Sequence, residues 1–369
     1  MRQHYASIVG WGHYAPEKVM TNDDLAQIVD TTDEWIQSRS GIKQRHVAAP
    51  DQATSDLCVE AARRALDRAG MEASELDLIL IATSSPDYMT PPVSSMVQAR
   101  LGANRAGAMT LMVGCTGFVY GLVTAEQFIR TGAYRRILLV GAEIITKNLD
   151  WQDRTTCVLF GDGAGAVVLE ATDEKCGVRA FELGSDGSGY EAIIAYCPGT
   201  AEPITHEAID ERRQFIRMNG REVYRFATTT MGASLVRTMK SAGVTADDIA
   251  LFVPHQANAR IIEYAANAMQ LPPERVVMNV DRYGNTSAAS IPIALSEALD
   301  AGRAQPGDTL ALVGFGAGLT WASAIVDLGP MVRVGATKGF ATRVAAPAGD
   351  GDARDTVIGP GGAVEGLIA

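Results

Sequence analysis

A cysteine set between two glycines opens the chemical reading of this chain. In LMVGCTGFVYGL, Leu111 to Leu122, Cys115 follows an apolar run and precedes a stretch with helical spacing. A thiol at a helix N-terminus lies near unpaired backbone N–H groups and the positive end of the macrodipole. Both favour thiolate and lower a reference pKa of about 8.5. Gly114 and Gly117 leave the backbone open to a carbonyl, and the N–H groups of the turn are placed to hold a developing oxyanion. Two further polar side chains stand at comparable junctions: His255 in VPHQANARI, after the apolar run IALFV, and Asn285 in DRYGNTSAAS, just ahead of a helical pattern. Taken singly, each has a bland explanation as a buried structural thiol, a satisfied histidine or a helix-capping asparagine. Taken together, a nucleophile and two neutral hydrogen-bond donors suit acyl transfer through a thioester.

The elements that must position these side chains occur twice. AGMEASELDLILIA, Ala69 to Ala82, aligns without a gap on AGVTADDIALFVPH, Ala242 to His255, at an offset of 173 residues. The same offset carries ILLVG, Ile137 to Gly141, onto LALVG, Leu310 to Gly314. Each half reads as an amphipathic helix ending at Ala-Gly, an acidic turn, an apolar strand, a second helix and another apolar strand. Strands this continuously apolar need cover on both faces, which predicts a layered α/β architecture of two related halves. Under the offset Cys115 falls on Ala288, so the two helices that open there are expected to be symmetry mates near the centre. Residues 1–175 then form a half carrying the cysteine, and 176–330 a half carrying His255 and Asn285. The Gly- and Ala-rich stretch 331–369, poor in large apolar groups, reads as a mobile tail with no chemistry.

Composition narrows the function classes. A chain of 369 residues, 47% hydrophobic, can bury a large core or two fused ones. With 32 Lys+Arg against 43 Asp+Glu, the net charge of −11 argues against nucleic acid or an anionic membrane surface as partner. Five widely spaced cysteines without a C-x-x-C pair fit reduced thiols better than a disulfide framework or a zinc site. No continuous apolar leader or membrane-length run is present, so the expected location is the cytoplasm.

Taken as a set, TTDEWIQSRSGI, GCTGF, FGDGAGAVVLE, VPHQANARI, DRYGNTSAASIP and GFGAGLTW, in this order from about Ala6 to Leu328, resemble β-ketoacyl-acyl-carrier-protein synthase III. That family comprises the initiating condensing enzymes of bacterial fatty-acid synthesis, within the thiolase superfamily. The resemblance implies a five-layered αβαβα thiolase fold of two pseudo-symmetric halves, a homodimer, no metal or cofactor, and the triad Cys115, His255 and Asn285. It implies that Cys115 takes an acyl group from an acyl-CoA. Malonyl-acyl carrier protein then loses CO2 while His255 and Asn285 donate to the thioester oxygen, and the resulting carbanion equivalent attacks the acyl group. An aspartate in place of Asn285 would repel that charge.

The same resemblance implies that Trp35 and Arg154 sandwich the CoA adenine, with Thr31, Arg39 and Asn258 as further CoA contacts. A core role for Trp35 is the plain alternative. It places Gln256, Arg260, Arg221 and Arg225 where the acidic carrier protein docks, although a solvated helix face explains such arginines equally well. Gly316 and Gly318 of GFGAGLTW fall in the loop beside the oxyanion. Two departures from the family pattern bear on the acyl pocket. MTLMVGC carries Thr110 where an aspartate is usual and bulky Met112 and Val113 where small residues are common. Thr90 stands where members restricted to short primers carry a large aromatic. These substitutions lead to the expectation of a primer other than acetyl, and they fit a synthase or starter-unit acyltransferase of secondary metabolism as the alternative.

Other classes fit less well. GDGAGA, with Gly161, Gly163 and Ala166, meets the spacing of a dinucleotide-binding loop. It runs into AVVLE, however, which reads as a strand where that loop requires a helix. A cysteine hydrolase shares the Cys-His-Asn set but not the internal repeat. A non-catalytic carrier-binding protein has no need of Cys115.

Overall fold

The structure, a computed structural model, describes residues 4–331; the stretch read above as a tail lies outside the described residues from position 332 onward. Nine principal strands form two sheets. The first contains β1 (Tyr5–Tyr14), β2 (Leu78–Ala82), β3 (Gly107–Leu111), β4 (Arg136–Glu143) and β5 (Gly163–Thr172), in the order β1-β5-β4-β2-β3. The second contains β6 (Gly177–Ser185), β7 (Ile249–Pro254), β8 (Thr309–Gly316) and β9 (Thr320–Asp327), in the order β7-β8-β9-β6. Parallel pairing joins β2 to β3 and β4 in the first sheet and β7 to β8 in the second. The remaining pairs are antiparallel.

The 173-residue offset is a rule of the fold as well as of the sequence. It carries β4 onto β8 residue for residue and β2 onto the end of β7 and His255. β3 has no counterpart strand, because residues 280–283 of the second half form a short helix instead. The run AVVLE lies inside β5, a strand as expected, so the GDGAGA glycines open no nucleotide-binding helix.

Five layers follow from where each helix finds apolar cover. α1 (Asp33–Ser40) sends Ile36 into the cluster under the second sheet; α2 (Thr54–Ala69) covers the outer face of the first sheet. α3 (Gly117–Arg130) and α6 (Ser290–Asp300) lie between the sheets, and α4 (Gly220–Ala242) with α5 (Ala259–Ala268) covers the second. The central layer is the most apolar. Phe118, Val119, Leu122, Val123 and Ile129 of α3 meet Ile291, Leu295 and Leu299 of α6 in one cluster with strands of both sheets. Full burial of each such side chain stabilises by about 1.5–3 kcal/mol. This sandwich is the thiolase-type α/β arrangement expected, and it aims the N-termini of α3 and α6 at one region.

Candidate active site

Cys115 lies in a single 3-10 turn, Gly114–Thr116, that runs directly into α3. The expected helix terminus is therefore present. Its mate turn, Ser287–Ala289, runs into α6, with Ala288 in the place of Cys115. The sulfur rests against the end of β8. A Cβ built on Gly316 would stand 2.9 Å from Sγ and 2.8 Å from Cβ of Cys115, so only glycine admits the thiol there. The next residue, Ala317, hydrogen-bonds to the sulfur through its backbone.

Asn285 and His255 reach the cysteine through the mate turn. The Asn285 side-chain Oδ1 accepts the Ser287 N–H at 2.9 Å, and its backbone is fixed between Leu159 and Gly161 by hydrogen bonds of 2.8 and 3.1 Å. With Oδ1 so occupied, the amide NH2 is the end left for a ligand. Three residues beyond Ser287, the Ser290 Oγ lies 2.6 Å from His255 Nδ1, while the His255 backbone N–H bonds Val313 of β8 at 2.8 Å. Nε2 of the imidazole has no hydrogen-bond partner among the described residues. The Phe315 ring stands edge-on at 5.4 Å. Ser287 itself lies within hydrogen-bonding reach of the Cys115 sulfur. One turn at the head of α6 thus ties the three side chains together.

The electrostatics oppose one expectation. Burial pushes the Cys115 thiol up to about 11, and the nearby Glu143 carboxylate adds to the rise. The hydrogen bonds from Ser287 and Ala317 offset only part of this. The helix terminus is there, and the burial of a 9% exposed residue works against it. Burial likewise lowers His255 to about 3, so its imidazole is neutral at any working pH.

The residues read as CoA contacts cluster at one edge. The Arg154 guanidinium lies 5.4 Å from the centre of the Trp35 ring, and it also bonds the Asp30 carbonyl at 2.9 Å. The Thr31 hydroxyl is buried without a hydrogen-bond partner, next to that pair in sequence. Arg39 is exposed, and its carbonyl accepts from Asn258, whose Oδ1 caps α5 through the Arg260 N–H. Arg260, Arg221 and Arg225 are exposed, and the Arg260 guanidinium lies 5.8 Å from the ring of Tyr224, which sits between the other two on α4.

One expectation fails on geometry. Gln256 is 1% exposed and offers no surface to a carrier protein. Its amide donates to Pro254 and Val277 and accepts the N–H groups of Asn279 and Val280, which makes it an internal strut. Thr90 and Met112 are both exposed on this chain, Met112 by 67%, so an acyl pocket lined by them is not closed by this chain alone. Thr90 lies in the loop that follows β2, and Met112 just past the edge strand β3.

Sequence reasoning missed Glu143, Ser287 and Ser290. Ser287 had a signal, since the 173-residue offset makes it the counterpart of Gly114. Glu143, at the end of β4, gave none.

Profiles of the 3-oxoacyl-[acyl-carrier-protein] synthase III family match residues 109–187 and, for its C-terminal part, 239–328. The β-ketoacyl-[acyl-carrier-protein] synthase III of Roseiflexus sp. strain RS-1 is 50% identical over 323 residues, which cover 88% of this chain and 98% of that protein. The crystal structure of the Thermus thermophilus synthase III is 46% identical, with a TM-score of 0.82 over 88% of this chain and 99% of the other. The priming β-ketosynthase of the R1128 polyketide biosynthetic pathway is 32% identical, with a TM-score of 0.82 over 89% and 98%.

Proposed function

Because the chain belongs to the 3-oxoacyl-[acyl-carrier-protein] synthase III family, we propose that Cys115, His255 and Asn285 carry the acyl transfer and decarboxylative condensation of that family. The protein is an acyltransferase of the β-ketoacyl-acyl-carrier-protein synthase III type. The observation that carries the residue assignment is the turn at Ser287–Ser290, which engages the Cys115 sulfur, the Asn285 amide oxygen and the His255 imidazole at once.

In this reading Cys115 attacks the thioester carbon of an acyl-CoA, the Cys–acyl bond forms, and CoA leaves. Malonyl-acyl carrier protein follows. The unbonded Nε2 of neutral His255 and the amide NH2 of Asn285 donate to its thioester oxygen as CO2 departs, and a β-ketoacyl-carrier protein results. A neutral imidazole serves as donor here only in the tautomer with the proton on Nε2. That tautomer requires Nδ1, 2.6 Å from Ser290 Oγ, to accept from the Ser290 hydroxyl, and the Gln256 N–H that this oxygen already accepts at 3.4 Å supports it.

CoA is proposed to lie along Trp35, Arg154, Thr31, Arg39 and Asn258; the unpartnered Thr31 hydroxyl supports a ligand there. The acidic carrier is proposed to meet Arg221, Arg225 and Arg260, and no metal or cofactor is assigned. A homodimer is proposed through the edge of β3, where Tyr88, Met89 and Met112 expose apolar surface beside an unpaired strand. No helix among the described residues is long and apolar enough to cross a membrane, and the proposed location is the cytoplasm.

The second reading, a synthase with a non-acetyl primer, is favoured by the small Thr90 and by the likeness to a polyketide priming ketosynthase. A panel of acyl-CoAs offered to the protein, read by intact mass and followed by malonyl-carrier protein, tests both readings. A covalent acyl group on Cys115 and a β-keto thioester product are expected. Free acid as the product indicates a hydrolase, and an acetyl adduct alone removes the second reading.

A further inference from the structure

Glu143 ends β4 inside the protein with no exposure. Its carboxylate accepts from Thr83 Oγ1 at 3.2 Å, the Ser84 N–H at 3.1 Å, Ser85 Oγ at 2.6 Å and Ser287 Oγ at 3.0 Å. None of these partners is a cation. An ionised carboxyl buried among neutral donors is costly, and burial raises its pKa to about 7. The titratable groups that face it are the Cys115 thiol and, from α2, the Cys58 thiol, which burial pushes far above the range of any working pH.

The four donors are not equivalent. Thr83 Oγ1 accepts the Ser85 N–H, and Ser85 Oγ accepts the Ile144 N–H, so each of these hydroxyls is oriented by the backbone to donate toward Glu143. Ser84 contributes a backbone N–H, which cannot turn. The Ser287 hydroxyl alone accepts no backbone N–H among the described residues, and on its other side lies the Cys115 sulfur. It can therefore reverse. With Glu143 ionised, Ser287 donates to the carboxylate and accepts from the S–H. With Glu143 protonated, the carboxyl donates to Ser287, which donates to sulfur.

We infer that Glu143 takes the Cys115 proton through the Ser287 hydroxyl during acylation and returns it when condensation releases the sulfur. The inference deepens the acyl-transfer reading and rests on it. The balance is complete. As the Cys–acyl bond forms, the thiol proton passes to Ser287 Oγ and the serine proton to Glu143, while CoA leaves as a thiolate and is protonated by water. After the carbanion equivalent attacks, the Cys115–carbon bond breaks, and the sulfur recovers its proton by the reverse path. Glu143 is thus a positioning residue for a proton and does not touch substrate. The relay accounts for a nucleophile whose surroundings favour the thiol, because the charge is formed only as the proton leaves.

The test reads Cys115 by alkylation, which is independent of whether any acyl-CoA is accepted. The full chain, Glu143→Gln and Ser287→Gly are treated with iodoacetamide from pH 5 to 10, and modification of the Cys115 peptide is followed by mass. Glycine at 287 removes the hydroxyl, keeps the N–H that holds Asn285 and tolerates the positive φ of +48°. For the unaltered chain the rate is expected to rise to a plateau near pH 7. Both variants are expected to lose the plateau, to react at least tenfold more slowly at pH 7, and to recover steadily as pH rises toward 10. A plateau retained in either folded variant, a faster reaction at pH 7, or no inflection in the unaltered chain overturns the relay. If Glu143→Gln fails to fold, Ser287→Gly decides. Failure of acyl-CoA to label Cys115, with the alkylation profile as expected, would remove the acyl-transfer reading and leave the relay.

Discussion

Gly114 and Ser287, 173 residues apart, hold the same left-handed backbone conformation, with φ of +56° and +48°. Each opens the turn that feeds a central helix, and each therefore sets where the next side chain, Cys115 or Ala288, meets the other half. In the half that carries Cys115 the position is glycine; in its mate it is a serine whose hydroxyl faces Glu143. The chain accepts a strained serine where the side chain has partners and places no side chain where one would collide.

Gly114→Ala follows from this difference. A Cβ there would lie 3.2 Å from the Ala317 carbonyl oxygen and 3.3 Å from the Ala317 nitrogen, at a φ that L residues rarely adopt. The expected cost is about 1–2 kcal/mol of stability. Ala317 also bonds the sulfur, so acylation in single turnover is expected to fall at least tenfold. Denaturant unfolding and intact-mass kinetics measure the two effects, and a full acylation rate would show that the turn does not set the position of the thiol.

Asn285→Asp separates the two half-reactions. The Asp carboxylate still accepts the Ser287 N–H that Asn285 accepts now, so the turn keeps its shape. What changes is the other end, where an NH2 donor becomes an oxygen anion facing the charge that forms on decarboxylation. Acyl-enzyme formation is expected within a fewfold of the parent, with condensation slowed at least a hundredfold, of the order seen when a single oxyanion donor is lost. Equal losses in both steps would place Asn285 in acylation as well.

Trp35→Ala addresses the CoA edge. The indole and the Arg154 guanidinium stand 5.4 Å apart, too close to admit an adenine between them, so Arg154 must swing off the indole as the ligand enters. Stacking and cation–π contact of this kind contribute about 0.5–2 kcal/mol, which predicts a KM for acyl-CoA raised roughly twofold to thirtyfold with kcat nearly unchanged. An unchanged KM would return Trp35 to the packing role that was its plain alternative.

Much of this arrangement was legible in the chain, for identifiable reasons. ILLVG and LALVG are apolar at every position because both faces of β4 and β8 are covered, and their common offset follows from the repeated halves. Cys115, His255 and Asn285 stand at the ends of such elements, where glycine, proline and asparagine mark the junctions. Glu143 was not legible. A glutamate closing a strand reads as a solvated charge, and only the stacking of Thr83–Ser85 and Ser287 around it turns it into a buried group. The burial of the thiol was not legible for the same reason: the helix end is a local feature, whereas Gly316, against which the sulfur rests, lies some 200 residues away in sequence. Gln256 looked available because its neighbours His255 and Asn258 are polar. Three of its four hydrogen bonds run to Val277, Asn279 and Val280, which no local pattern brings near.

Stability against pH carries a separate, signed prediction at Glu126. This carboxyl is 1% exposed on α3, between the Arg130 guanidinium at 2.8 Å and the Val178 N–H at 3.3 Å, and burial raises its pKa to about 7 despite both. Between about 4.5, the ordinary value, and about 7, the folded chain holds a proton that the unfolded chain has released. The stability this group contributes is therefore complete below 4.5 and is lost as pH rises through 7, at up to about 1.4 kcal/mol per pH unit. Glu126→Gln removes that titration while keeping the shape and an acceptor for Arg130. Plotted against pH, the stability of the variant minus that of the parent should climb from pH 4.5 to 7 by up to about 3 kcal/mol and stay level above. His255 and Glu143 also titrate differently on folding, but they are common to both chains and cancel in the difference. Urea unfolding at half-unit pH intervals measures it, and a flat difference would mean that Arg130 keeps Glu126 ionised throughout.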